Sequence, residues 1–186
     1  EAEAISDTAR TVDRKSLDAA AEAIMSCRRL DIYGLGSSYL AALDLQQKLH
    51  RIGLSAYCWS DNHLALTSAA VLKEGDVAIA ISHSGVTAEV FQILETAKRS
   101  GAKTIAITNH PASPLGRLAD LTLVTSAKES RFRSGAMASR IVQLAMVDFL
   151  FVRIMQRLFK SASASLERTF DAVRDNRLSY NQKVQD

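Results

Sequence analysis

The chain has 186 residues, 47% hydrophobic and 23% charged, with a formal net charge of +3. That balance suits one ordinary domain with a full apolar core and excludes a disordered or fibrous chain. Its basic residues come in short dispersed groups such as Arg28-Arg29, Lys98-Arg99 and Arg131-Phe-Arg133, so solvated surface is the default reading and no nucleic-acid-binding stripe is present. Residues 1–26 carry a weak helical pattern (Ile5, Val12, Leu17, Ala20, Ala21, Ile24), with Ser16 as a candidate cap in its middle. The acidic amino end has no signal-peptide pattern. It starts without Met inside a helical pattern, as expected of a piece of a longer protein whose linker helix runs to about residue 28. Residues 30–34 form a short strand that runs into Leu35-Gly-Ser-Ser-Tyr39 and a helix to about residue 52, stopped by Gly53.

Gly34 and Gly36 match the first two positions of the dinucleotide fingerprint GxGxxG, and Asp61 after the second strand could serve as its ribose-binding acid. Tyr39 fills the third position, however, where a bulky ring obstructs close helix-to-strand packing. The paired serines Ser37 and Ser38 suit a compact phosphate better than a pyrophosphate, so no nucleotide cofactor is expected. Residues 54–58 read as the second strand and 59–63 as its loop, with Asp61 or Asn62 capping a helix to about residue 71. His63 is either an acid/base or ligand contact or, as is more common, a surface histidine. Cys27 and Cys58 belong to no metal-ligand spacing, which points to a reduced, cytoplasmic setting and suggests no metal site.

The chain is organised around residues 76–97. The unbroken apolar run 77–81 suits a strand covered on both faces. It ends in Ser82-His-Ser-Gly-Val-Thr87, and a helical pattern follows (Val86, Val90, Phe91, Leu94, Ala97). The turn falls at the carboxyl edge of the sheet, where open α/β folds bind ligands. The first N–H groups of a helix lack internal partners and lie at the positive end of its dipole, so an anion is held there readily. Ser82, Ser84 and Thr87 add hydroxyls, and Gly85 lets the backbone close around a small group. The plainer alternative has Ser84 capping the helix and Thr87 in its first turn.

Gly101 stops this helix. Residues 104–108 give a fourth strand, 109–114 a loop of turn formers, and 121–124 a fifth strand. A polar loop over 125–134 precedes a long helix from 135 to about 158. Asp148, Arg153 and Arg157 argue against a membrane span there. Its apolar sides exceed one core face, so the sheet and a further helix or subunit are expected to cover it. A tail helix over 165–178 is expected to pack on a partner, most simply in a homodimer. The predicted fold is α/β: a three-layer αβα, doubly wound, five-stranded parallel sheet.

Four ordered stretches resemble the sugar isomerase (SIS) domain: Gly34-Leu-Gly-Ser-Ser38, 75–89, 101–108 and Ser113-Pro-Leu-Gly-Arg-Leu-Ala-Asp120. The stretch 133–148 is similar to the long-helix signature of RpiR-type transcription regulators. The resemblance implies a linker helix over 1–28, a SIS domain over 29–160 and a dimer-contact helix over 161–186, with a DNA-binding helix-turn-helix domain outside this chain. It also implies a phosphorylated sugar or sugar acid held by Ser37, Ser38, Ser82, Ser84 and Thr87, with backbone help from His83 and Gly85, in a homodimer or tetramer. SIS isomerases resemble one another in a Glu before a Gly-Val-Ala-Ser-Thr helix start, where this sequence has Arg133 or Ser134. A guanidinium is no base at neutral pH. Arg131 and Arg133 instead suit a sugar acid or a second anionic group of the ligand, with solvent-exposed loop arginines as the plainer alternative, and Glu129 is the one candidate base for the other reading, an aldose-ketose isomerase or related lyase. The expectation is a non-catalytic effector domain.

Overall fold

The five predicted strands form one parallel sheet. The computed structural model describes residues 1–128 and 137–174. In chain order these give α1 (Ala2–Thr11), α2 (Arg14–Ser26), β1 (Arg29–Gly34), α3 (Ser37–Arg51), β2 (Ala56–Trp59), α4 (Asn62–Ala70) and β3 (Asp76–Ile81). There follow α5 (Ala88–Arg99), β4 (Lys103–Thr108), α6 (Pro114–Leu118), β5 (Leu121–Val124), α7 (Met137–Arg157) and α8 (Phe159–Arg174). The sheet order is β2-β1-β3-β4-β5, with β3 at its centre and buried at all six positions. Successive side chains of a strand point to opposite faces. Val77, Ile79 and Ile81 therefore join one core with α2, α3 and α7, while Ala78 and Ala80 join a second with α4 and α5. On β3 the bulky β-branched residues face the first core and the alanines face α5 in the second.

Three local differences from the sequence expectation have physical causes. The pattern over 1–26 is two helices, broken at Val12-Asp13. Asp13, not Ser16, caps α2, accepting from the N–H groups of Lys15 and Ser16. Buried Leu17, Ala20, Ala21 and Ile24 make α2 part of the layer covering the sheet. Second, α6 is absent from the periodicity because it is only five residues long; Ser113 caps it and Pro114 occupies its first turn. Third, Trp59 ends β2 instead of opening a loop. The further apolar side of α7 is covered by α1 and α2, in line with the expected cover by another helix.

Among the described residues two carboxylates are buried, Asp31 and Asp76. Asp31 is fully buried on β1 and accepts from Arg29 Nε and Nη2 (2.7 and 3.0 Å), Trp59 Nε1 (2.9 Å), Tyr33 Oη (3.2 Å) and Ser68 Oγ. Five donors on β1, β2 and α4 thus converge on one carboxylate, as burial of a charge requires. Burial, together with the same carboxylate, pushes the Tyr33 phenol far above its ordinary range.

Candidate ligand-binding site

In the order β2-β1-β3-β4-β5 the direction of winding reverses between β1 and β3. The helix after β1, α3, packs in the first core, and the helix after β3, α5, packs in the second. Their amino ends therefore part over the carboxyl edge of the sheet and leave a crevice, the place where such folds take up ligands. Gly34 pairs with Ile81 as the last register step of the two strands. The turns 35–38 and 82–87 consequently leave neighbouring strands at the same level, about 5 Å apart. Of the predicted site residues, Ser37, Ser38, Ser82, His83, Ser84, Gly85 and Thr87 are brought together on these two turns. Arg131, Arg133 and Glu129 lie outside the described residues.

The first turn passes through Gly36 at φ +56°, and no side chain caps α3. Ser37 opens that helix half-buried, while Ser38 is 8% exposed. The Ser38 N–H is taken by the Leu35 carbonyl at 3.2 Å, so its contribution to a ligand is the hydroxyl. That hydroxyl accepts from Nε2 of Gln143 on α7 at 3.0 Å. Sequence reasoning missed Gln143; a single amide within the apolar run 141–147 was the available signal.

In the second turn, Ser82 Oγ accepts from the Gly85 N–H at 3.2 Å and stands 3.3 Å from Thr87 Oγ1. Ser84 Oγ lies 3.4 Å from the Val86 nitrogen. Ser84 is thus not the helix cap. Thr87 holds the N-cap position, yet its side chain makes no capping bond, and the capping alternative fails for both residues. What remains for an anion is the amino end of α5 and three clustered hydroxyls.

Gly85 has a packing role besides the one expected of it. At φ +65° it adopts a conformation costly for other residues, and an added Cβ would come within 2.6 Å of Ser113 Cβ and closer still to its Oγ. The glycine lets the turn pack on the cap of α6, where its carbonyl accepts from the Leu115 N–H at 3.1 Å. His83 is tied down similarly. Its carbonyl accepts from the Asn109 N–H (3.0 Å) and Thr108 Oγ1 (3.2 Å), and its ring meets His110 edge-on at 5.8 Å. His63 is exposed in the first turn of α4.

The second turn is also connected to α1. Asn109 Oδ1 accepts from the Ala127 N–H (2.6 Å), and the neighbouring Ser126 N–H donates to Thr8 Oγ1 (2.9 Å). Thr8 is fully buried although α1 is mostly exposed. A run of hydrogen bonds thus joins His83, Asn109, the segment after β5, and the first helix.

Elsewhere, a cleft of about 530 Å³ opens at the opposite edge of the sheet, lined among others by Glu22, Asp76 and Lys103; none of the serine-turn residues reaches it. Burial pushes the Cys27 thiol up to about 11 and the Cys58 thiol up to about 12, with Asp76 adding to the first, so neither is poised as a nucleophile. Among the described residues no helix is long and apolar enough to cross a membrane, and no three His, Cys, Asp or Glu side chains cluster as a metal site would need.

Fold and crevice together define a doubly wound α/β domain with a switch-point site lined by hydroxyls. Known proteins then give the family: the SIS domain model matches residues 23–153, and this chain belongs to the SIS family. It is 41% identical over 171 residues to an uncharacterised HTH-type transcriptional regulator of Caldanaerobacter subterraneus, covering 92% of this chain and 61% of that protein. Over 150 residues it is 36% identical to the HTH-type transcriptional regulator RpiR of Escherichia coli, covering 81% of this chain and 51% of the regulator. The chain therefore spans only half to three fifths of these relatives. The structure of Vibrio vulnificus NanR complexed with ManNAc-6P superposes with a TM-score of 0.90 at 30% identity, covering 96% of this chain and 67% of that one. The resemblance read from the glycine-serine and SxSGxT turns is borne out.

Proposed function

We propose that this chain is the effector domain of an RpiR-type transcriptional regulator, and that it binds a phosphorylated sugar or sugar acid without transforming it. The observation that carries this reading is the pairing of two hydroxyl-rich turns on adjacent strands, one of them opening a helix whose N-cap side chain leaves the end uncapped. A phosphate ester in the crevice takes hydroxyl donors from Ser38, Ser82, Ser84 and Thr87, with Ser37 beside them, and the field of the α5 terminus favours its charge. The NanR structure supports the ligand class, since that relative is complexed with a phosphorylated amino sugar. The absence of turnover is supported by the sequence, which has Arg133 or Ser134 where the isomerases carry their base. The proposed setting is the cytoplasm.

Regulation follows by linkage: a ligand shifts the attached DNA-binding domain only through its differential affinity for two arrangements. The hydrogen-bonded run from His83 to Thr8 supplies a route from the crevice to α1, the element nearest in sequence to whatever precedes the chain. Phe159, Phe170 and Val173 are exposed on α8 and support that helix as the dimer contact. Ending the chain before Phe159 should then lower the sedimentation coefficient to that of a monomer.

The binding test is a thermal-shift screen of phosphorylated sugars and sugar acids, including ManNAc-6P, against their unphosphorylated counterparts. A ligand bound only by the folded state raises the midpoint, so phosphorylated compounds alone should do so. For a ligand so found, Ser84→Ala should weaken calorimetric affinity by about 1.5–3 kcal/mol, the worth of a hydrogen bond to a charged group. Conversion of that ligand into its aldose or ketose isomer, abolished by Glu129→Gln, would establish the enzyme instead.

A further inference from the structure

Gln143 is 1% exposed on α7, between Val142 and Leu144 in a helix that is otherwise apolar over 141–147. Its Nε2 donates to Ser38 Oγ at 3.0 Å, while its Oε1 is buried with no partner among the described residues. A residue serving only to seal the contact between α3 and α7 would be leucine or methionine, which fill the same volume without stranding an acceptor. The polarity of the amide therefore calls for another explanation.

A serine hydroxyl has one hydrogen to give and two lone pairs to receive with. Because Gln143 contributes an N–H, it occupies a lone pair and leaves the Ser38 hydrogen to be given elsewhere. The Ser38 N–H is already engaged by Leu35, and the turn beside it, 82–87, presents further hydroxyls. We propose that Gln143 is the positioning residue of the crevice: it fixes the Ser38 hydroxyl as a donor toward a bound phosphate dianion. The proposal rests on the phosphate reading of the crevice and adds the residue that sets the polarity of its first turn.

The test uses this chain and inorganic phosphate, at constant ionic strength, with affinity read from the titration of the Ser38 and Ser84 amide resonances. Gln143→Met keeps the volume and the fold but removes the N–H, and should weaken phosphate binding by about tenfold or more, the loss expected when a charge-assisted bond loses its alignment. Gln143→Glu gives a readout that packing alone would not move. The wild type should bind more tightly as pH rises and phosphate becomes a dianion. The glutamate variant should bind more weakly as pH rises, because its carboxylate takes the Ser38 hydrogen and repels the ligand. It should recover at low pH, where a buried carboxyl is protonated and can donate as the amide does. Unchanged phosphate affinity in Gln143→Met, with affinity lost in Ser84→Ala, would overturn the role of Gln143 while leaving the crevice in place. No saturable shift in the wild type would overturn both.

Discussion

Substituting Gly85 by alanine should be among the most damaging single-methyl additions in this fold, and the loss divides into two parts. At φ +65° an L-residue brings its Cβ against the following carbonyl, which costs about 1–2 kcal/mol. The new methyl would also sit within 2.6 Å of Ser113 Cβ. Ser113 must then withdraw, releasing the Gly116 N–H that it holds at 3.2 Å; a lost helix cap costs about 1 kcal/mol. The sum is about 2–3 kcal/mol. In urea, with an m value of about 2 kcal/mol/M, the midpoint should fall by about 1–1.5 M at unchanged m. Gly85→Ala combined with Ser113→Gly removes the obstruction but not the backbone conformation; because glycine at an N-cap costs only about a few tenths of a kcal/mol, the double variant should recover most of the cap's share and none of the backbone's. A Gly85→Ala stability within about 0.5 kcal/mol of wild type, the scatter of ordinary surface changes, would refute the claim that packing against α6 dictates this glycine. No recovery in the double variant would refute the division.

Further outcomes can be checked on the same chain. Asp31→Ala strips one acceptor from Arg29, Trp59, Tyr33 and Ser68 and should destabilise by about 3–5 kcal/mol, as breaking a buried pair does; a loss under 1 kcal/mol by urea unfolding would mean that water replaces the carboxylate. Cys27 and Cys58, raised to about 11 and about 12 by burial, should react with a disulfide reagent at neutral pH only after denaturant is added, and fast labelling of the native protein would contradict the burial. Inorganic phosphate should slow amide exchange in α1 as well as at 82–88. Thr8→Val should retain the second effect and lose the first, whereas equal protection of α1 in both proteins would discard the route through Ser126.

The strand, turn and helix units are legible in the sequence because each layer imposes its own period. β3 is buried on both faces and therefore reads as a continuous apolar run, while α5 shows Val90, Leu94 and Ala97 at helical spacing against one face. The two serine turns are legible in position, since each falls where a short apolar run gives way to a helical period. Sheet order and register are less legible: nothing in the periodicity of 30–34 states that it pairs with both 56–59 and 76–81. Periodicity also misses what is solitary or short. Asp31 and Gln143 each interrupt an apolar stretch once, so pattern counting absorbs them, although a lone polar residue in a buried run is where an obligatory hydrogen bond must be sought. The five-residue α6 spans little more than one turn, and only Ser113-Pro114 announced it. Gly85 was assigned to the right turn for an incomplete reason, because the close approach of Ser113 is a tertiary contact twenty-eight residues distant in sequence.

That two serine turns close on one anion can be tested before any sugar is known. Inorganic phosphate titrated into ¹⁵N-labelled protein should move the amides of 36–39 and of 82–88 together, along saturation curves that share a single dissociation constant. Movement of one turn alone, two unrelated constants, or shifts centred on the cleft at the opposite edge of the sheet would contradict a shared phosphate site at the switch point.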